Sequence, residues 1–375
     1  MVDLASKILL HDKLRFITTI AGVAFAVTLV LVQAGLFVGL LDNASITIRK
    51  MDADIWIASK NTPNVDFASP FPETLVQRVR SVPGVERADN LIVAFMQIAL
   101  PSGAREGLMV YAMEDLSRWN LPWHTLKGDV ADLRRGHYFF LDESASKRFG
   151  PFKVGDYREI LDQRLKIIGI TREARSFTTT PIAFMDYRLA QFLTYQFFGD
   201  RTAYIVVKLA PGADSAAVMG EIRRRLPYND VHTQEGWATL SRDYWINSTG
   251  IGLNMYLTVF LGCLVGVVVV AQTLYTMTME HVKEFGTVKA IGGTNADIYR
   301  ILAKQATIAA VAGFGLGGAL ALSLRPLVGK LDLKLIIHPD LVIWVFAGTL
   351  LLCLAAAMLS FHKVASIDPA LVFRT

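Results

Sequence analysis

"MEHVKEFGTVKAIGGT" (279–294) closes an uncharged run of the chain, 250–279, "GIGLNMYLTVFLGCLVGVVVVAQTLYTMTM". That run exceeds the ~20 apolar residues needed to cross a bilayer. Glu280, Lys283, Glu284 and Lys289 then arrive together. At helical spacing, Val282, Phe285, Val288 and Ile291 form an apolar stripe, and the charges sit mostly on other faces. The pair Gly292-Gly293 ends such a helix. Thr294 or Asn295 can cap a second one, in which Ile298, Ile301 and Leu302 face one way. The stretch reads as a helix–turn–helix at a membrane surface. It is either an interfacial connector without a partner or a docking element for another protein, and pattern alone leaves both open.

Three more segments qualify as spans: 16–41, 305–324 and 339–361, the last charged only at Asp340. The first is far longer than the ~7–15 residues of a signal-peptide core and has no small-x-small cleavage site after it, so a retained span is expected. The chain has 375 residues, 53% of them hydrophobic, and a mean hydropathy of +0.38. That balance fits a few spans plus a sizeable water-soluble domain. The net charge of +5 is accounted for by basic residues flanking the spans and facing anionic headgroups, so no nucleic-acid partner is expected. Cys263 and Cys353 both lie in apolar runs and form no metal motif.

Basic residues in the short flanks set the direction of insertion. Lys7, Lys13, Arg15, Lys283, Lys289, Arg300, Lys304, Lys363 and Arg374 share one side, against Arg325, Lys330 and Lys334 on the other. Both termini and the 280–304 loop are therefore expected in the cytoplasm. The resulting map is a cytoplasmic amphipathic segment 1–15, span 16–41, external domain 42–249, span 250–279, cytoplasmic loop 280–304, span 305–324, external loop 325–338, span 339–361 and cytoplasmic tail 362–375. Gly22 and Ala26 in the first span, and Gly313 and Gly317 in the third, are small residues four apart that let helix backbones approach closely. They equally match the ordinary abundance of Gly and Ala in spans. Gln33, Asn254 and Gln272 are expected to hydrogen-bond between helices. The absence of a mid-membrane charge argues against an ion-coupled carrier.

The external segment reads as α/β. "ADIWIA" (53–58), a helix over 72–81 opened by Pro72, and "LIVAFMQIAL" (91–100) form one strand–turn–helix–strand unit. "AYIVVKL" (203–209), "APGADSAAVMGEIRRRL" (210–226) as a turn leading to a helix, and "YNDVHT" (228–233) form another. Two related lobes are expected, one near each membrane junction, with a strand-rich insertion over 95–200. Residues 236–249 are expected to form a stalk helix leading into the second span. His124, His137 and His232 are scattered; Trp119, Trp123 and Phe139 read as core before a binding surface, and Arg223, Arg224 and Arg225 as a solvated face before a contact with an acidic partner or lipid headgroups. Neither H-E-x-x-H nor G-x-S-x-G occurs, so no catalytic or metal site is expected.

"EHVKEFGTVKAIGGTNADIYRILAKQA" (280–306) resembles the cytoplasmic signature of FtsX-like and MacB-like ABC transporter permeases. "SIDPALVFR" (366–374) is similar to the family's terminal motif, with Pro369, Leu371 and Arg374 in register. The segments 13–44 and 52–59 look like the DevC branch, named for heterocyst-type glycolipid exporters. His281 stands where the family commonly has Arg, and Gly293 where Ala is common. The resemblance implies a membrane protein with four transmembrane helices and a two-lobed, MacB-like α/β periplasmic domain between helices 1 and 2. The chain has no G-x-x-x-x-G-K-[ST], so ATP is expected to bind a separate cytoplasmic ATPase subunit and no cofactor to bind here.

The implied machine is a permease homodimer with two ATPases in a bacterial inner membrane. Residues 280–291 become its coupling helix, anchored by Phe285 and Val288, with Glu280, Lys283, Glu284 and Lys289 at the rim and the Gly292-Gly293 turn setting the return angle. A periplasmic adaptor and an outer-membrane channel complete the export path for a lipid, glycolipid, peptide or small molecule. The alternatives are an FtsX-like regulator of a cell-wall hydrolase and a lipoprotein-extraction permease.

Overall fold

The computed structural model of the chain describes residues 13–280, 287, 293–331 and 333–365. These divide into two compact units, one within Leu40–Ile251 and one formed from Met1–Gly39 with Gly252–Thr375.

Helix α1 runs from Lys13 to Lys50, nine residues past the expected span. Nothing stops it earlier, since 42–50 contains neither Gly nor Pro. Arg49 and Lys50 sit at the negative end of its dipole, where cations are favoured. Gln234 donates to the carbonyls of Ile48 (2.9 Å) and Met51 (2.7 Å), satisfying acceptors at and just beyond the helix end.

The external unit is built on twelve strands: β1 (Ile55–Ser59), β2 (Phe71–Pro72), β3 (Val85–Ala99), β4 (Arg105–Met113), β5 (Thr125–Lys127), β6 (Tyr138–Asp142), β7 (Tyr157–Ile160), β8 (Gln163–Thr171), β9 (Ile182–Asp186), β10 (Arg201–Thr202), β11 (Tyr204–Leu209) and β12 (Asn229–Thr233). Its helices are α2 (Leu75–Arg80), α3 (Ala145–Phe149), α4 (Tyr187–Leu193), α5 (Tyr195–Phe198), α6 (Ser215–Arg225) and α7 (Gln234–Asp243). The long strand β3 organises the rest. Its first half pairs with β11 and its second half with β4.

The two strand–turn–helix units do not make two lobes. Strand β1 lies between β11 and β12, and β11 lies between β1 and β3, so the units interlock in one antiparallel sheet. The period-2 alternation of β1 and β11 explains why. Ile55, Ile57, Ile205 and Val207 meet Val76 and Val79 of α2 and Val218 and Ile222 of α6. Trp56 and Tyr204 point to the opposite face, onto Trp237. Each unit alone would leave one of these faces in water.

The second lobe is the segment expected as an insertion. Pairings β3–β4, β4–β9, β9–β6, β6–β8, β8–β7 and β7–β3 close on themselves, giving a six-stranded barrel with β5 attached to β8. Alternate residues fill its interior, including Ile92, Met96, Ile98, Leu108, Val110, Phe139, Leu141 and Ile167. On the outside, the ring of Phe95 lies where a side chain on Gly107 would stand. Gly107 is cross-strand to Met96's neighbour Gln97 and leaves room for that aromatic cover.

Two local expectations are corrected. Pro72 does not open a helix: Phe71-Pro72 pairs with Arg201-Thr202, and α2 begins at Leu75. The stalk is not one helix either. Helix α7 passes into a π-turn over Tyr244–Ser248, and Thr249 is extended at φ −117°, ψ 156°. The Thr249 hydroxyl donates to Trp245 O (2.6 Å) and accepts from Ile251 N (3.3 Å), which ends one helix and starts the next.

The membrane unit comprises the first part of α1 with α8 (Gly250–Glu280), α9 (Asn295–Ser323), α10 (Arg325–Lys330) and α11 (Pro339–Ala365). Among the described residues, four helices are long and apolar enough to span a bilayer. Helix α9 starts ten residues before the expected span, because its cap lies at Thr294. Val23, Val27 and Leu31 of α1, Ile298, Leu302, Ala306 and Ala310 of α9, and Cys353, Ala356 and Ala357 of α11 share one buried cluster.

Candidate coupling site and the helix interfaces behind it

Of the residues assigned to coupling, Lys283, Glu284, Phe285, Val288, Lys289 and Gly292 lie outside the described residues, as do Pro369, Leu371 and Arg374. Glu280 is the last residue of α8 and is exposed; Gly293 stands just before the next helix. The return helix is fixed by a reciprocal cap. Thr294 Oγ1 accepts from Asp297 N (3.3 Å), and the Asp297 carboxylate accepts from Thr294 N (2.9 Å). The first inward residue, Ile298, is fully buried, and Leu302 follows one turn later. The loop thus re-enters the helix bundle through a capped end whose apolar face is covered from its first turn.

The small residues form two separate interfaces. Gly22 and Ala26 face α8: a side chain on Gly22 would meet Val269, and one on Gly266 would stand 2.7 Å from the Ala26 Cβ. Gly313 and Gly317 face α1 through other residues. A Cβ on Gly313 would fall 2.5 Å from Val23, and one on Gly317 would fall 2.6 Å from Ala24 O. Thr28 also donates to Gly317 O (3.0 Å). Such backbone proximity is how helices associate in lipid, where hydrophobicity supplies no drive between them. Gly262 and Gly266 on α8 and Gly35 and Gly39 on α1 had the same four-residue spacing and were not singled out from sequence. Gly35 O accepts from Ile336 N (3.1 Å), and Gly39 lies against Lys334 O.

In the external unit several charges pair with one another. Asp52 joins Lys208 (2.6 Å) and Arg87 (2.7 Å), and its pKa is held low chiefly by the Lys208 hydrogen bond. Arg80 pairs with Asp89 (2.6 Å), whose other oxygen accepts from Trp119 Nε1 (2.9 Å). Arg87 lies 4.8 Å over the Trp119 ring. Arg80, Arg87 and Asp89 border a polar cavity of 450 Å³ that also touches Glu114, Asp115 and Arg134. Trp119 and Phe139 are core, while Trp123 packs edge-on to Phe184 at 6.0 Å. Arg224 and Arg225 pair with Glu221, and Arg223 donates to Val231 O. His232 stacks on Trp237 (5.0 Å), and burial pushes its pKa down. Among the described residues, no group of three or more His, Cys, Asp or Glu could hold a metal ion.

An interlocked sheet with an appended barrel lies in sequence between the first and second of four described helices that are long and apolar enough to cross a membrane. Residues 16–225 match the MacB-like periplasmic core domain and 256–369 the FtsX-like permease C-terminal domain, and the chain belongs to this family of FtsX-like and MacB-like ABC transporter permeases. It is 25% identical over 355 residues to an "uncharacterized ABC transporter permease" of Mycobacterium tuberculosis, covering 94% of this chain and 93% of that one. It is 24% identical over 239 residues to the macrolide export ATP-binding/permease protein MacB of Agrobacterium fabrum, covering 61% of this chain and 37% of that one. The crystallised periplasmic region of MacB from Actinobacillus actinomycetemcomitans aligns with a TM-score of 0.39 at 12% identity, covering 54% of this chain and 97% of that one. The protein is thus a multi-pass membrane protein of the ABC permease class, a class that works with a partner ATPase.

Proposed function

We propose that the chain is the transmembrane subunit of an ABC exporter, and that it passes the motion of a cytoplasmic ATPase to its external domain. The observation that carries this reading is the continuity of α1. One uninterrupted helix belongs to the membrane unit through Gly39 and to the external unit from Leu40 onward. The 280–291 segment receives the ATPase, with Phe285 and Val288 as apolar anchors and charged neighbours setting register. Two copies act together, in the inner membrane with both termini cytoplasmic. The external domain works with a periplasmic adaptor and an outer-membrane channel. The cargo is an amphiphile or small molecule taken from the outer leaflet or periplasm, and the DevC resemblance favours a glycolipid. The lack of a described mid-membrane charge in the four spans supports a path that avoids the bundle.

Gentle solubilisation of the tagged chain from its native membrane, followed by mass spectrometry of what co-elutes, tests this function. An ATPase together with an adaptor is the expected result. An ATPase with a cell-wall hydrolase and no adaptor would replace export by regulation, and elution without an ATPase would overturn the assignment.

A further inference from the structure

Helices α1, α8 and α11 enclose an apolar groove of about 270 Å³ inside the membrane unit. Its extent follows from the residues that line it. It runs from Val23 to Ala34 on α1 and from Leu341 to Cys353 on α11. At 1.5 Å per residue these stretches are about 16 and 18 Å long. One leaflet of a hydrocarbon core of ~30 Å has nearly that depth. Thr349 is the hydroxyl in the lining, and it is spent inside its own helix on Val345 O (2.7 Å). Its proton is therefore not offered to a guest in the groove. At the mouth stands Trp344, which is 76% exposed. It lies about 8 Å into α11, near the Leu341 end of the groove, and Trp rings favour the boundary between headgroups and chains. Gly348 also lines the groove, and a Cβ there would meet no atom within 4 Å.

A volume of this size drawn out over one leaflet is narrower than a helix, which is about 10–12 Å across with its side chains. It exceeds the ~150 Å³ cavity that accepts benzene. Left empty, its walls would forgo dispersion contacts along their whole length. We propose that the groove is a binding site for one acyl chain of an outer-leaflet phospholipid, with the headgroup held near Trp344. The site stands apart from the export reading; its leaflet alone rests on the orientation proposed above.

The test uses the full chain in proteoliposomes of phosphatidylethanolamine, doped with the same lipid carrying a photoreactive diazirine midway along one chain. After illumination, adducts are mapped by peptide mass spectrometry. Adducts on the α11 stretch 345–353 are expected to exceed those on the exposed α8 positions Leu257, Leu261 and Leu264, which report ordinary surrounding lipid. Gly348→Leu has open space at its Cβ and adds bulk to the groove wall. It is expected to cut the α11 adducts about tenfold, as losing burial of two methylenes would, and to leave the α8 adducts unchanged. Equal adducts at both places in the wild-type chain, or α11 adducts indifferent to Gly348→Leu, would overturn the site. So would a change in oligomeric state of Gly348→Leu, because it would show a second copy seated in the groove. Groove adducts combined with a cytoplasmic external domain would uphold the site and overturn the leaflet.

Discussion

The hydroxyl of Thr28 lies 3.0 Å from the carbonyl oxygen of Gly317 and 2.7 Å from that of Ala24, one turn back on its own helix. Its single proton is shared between a local bond and a bond to the neighbouring helix. This geometry exists because Gly317 has no side chain: a Cβ would stand 2.6 Å from Ala24 O and 2.9 Å from Val27. Interhelical hydrogen bonds in lipid average only about 0.6 kcal/mol, so the close approach contributes more than the bond does.

Gly313→Leu and Gly317→Leu should therefore each lose folded protein, at a cost of about 1–3 kcal/mol for forced overpacking. Gly315→Leu and Gly318→Leu lie on the same helix with open space at Cβ and should be tolerated. Thr28→Val should fall between. Thermal melting of the detergent-solubilised chain, read by size-exclusion fluorescence, ranks the five variants. Equal losses at Gly315 and Gly317 would remove the interface from the account.

A second set of consequences concerns Asp142, which is fully buried at the end of β6. It accepts from Ser144 N (3.0 Å), Ser144 Oγ (2.5 Å), Thr171 Oγ1 (3.3 Å) and Ala174 N (2.9 Å), with Arg175 Nε at 3.9 Å. One carboxylate thus ties β6, β8 and the 172–181 loop together. Burial raises its pKa despite these donors. Asp142→Ala leaves several buried donors without an acceptor, each costing about 1–3 kcal/mol, and should unfold the barrel. Asp142→Asn keeps acceptors on one side and should be milder. Tryptophan fluorescence during urea titration reads this, because Trp56, Trp119, Trp123, Trp237 and Trp245 all lie in the external unit.

How much of this was legible beforehand depended on the range of the interactions. The four spans and the strands read at "ADIWIA" and "AYIVVKL" follow from local hydropathy and period, and the structure has strands there at Ile55–Ser59 and Tyr204–Leu209. The assignment of strands to lobes did not follow. Strand β1 prefers β11 and β12, some 150 residues away, over its sequence neighbours, and nothing local encodes that choice. The barrel closes through β7, four residues long, too short to carry a periodic signal. For the helix interfaces, spacing identified Gly22, Ala26, Gly313 and Gly317 as small residues but not which helix each one meets. Thr28 escaped notice because a hydroxyl in a span bonds its own helix by default.

Asp66 gives a pH prediction with a definite sign. Burial raises its pKa to about 7, against a smaller lowering by the Phe177 backbone N–H. The folded state then holds a proton that the unfolded state releases near pH 4. Stability from this group is fully present below that pH and is lost as pH rises through about 7. Water reaching the partly exposed carboxylate softens the loss. Asp66→Asn should flatten this fall, so that the variant gains on the wild type at pH 8 and not at pH 4. Urea midpoints by tryptophan fluorescence at the two pH values decide it; parallel curves would assign the burial no energetic role.

Ala216 is exposed on α6 of the external unit. A cysteine placed there should react with a membrane-impermeant maleimide once the outer membrane alone is opened. Reaction that requires breaching the inner membrane would invert the proposed topology. Cys353 is buried, and a parent lacking both native cysteines supplies the background.

The last prediction addresses the segment that first suggested a partner. If 280–291 seats an ATPase, its affinity comes from apolar anchors, with the surrounding charges fixing register. Truncating Phe285 and Val288 together removes two anchors, each contributing about 1.5–3 kcal/mol when fully buried. Phe285→Ala with Val288→Ala should therefore abolish stimulation of the partner's ATP hydrolysis and release it during purification. Insertion should be unaffected, because the spans and the Thr294–Asp297 cap are untouched. Lys283→Ala with Lys289→Ala should instead weaken the complex modestly and in a salt-dependent way. ATPase assays on reconstituted complexes at two ionic strengths separate the two effects. Full coupling in the Phe285/Val288 variant would return this stretch to an interfacial connector and place the ATPase contact elsewhere on the cytoplasmic face.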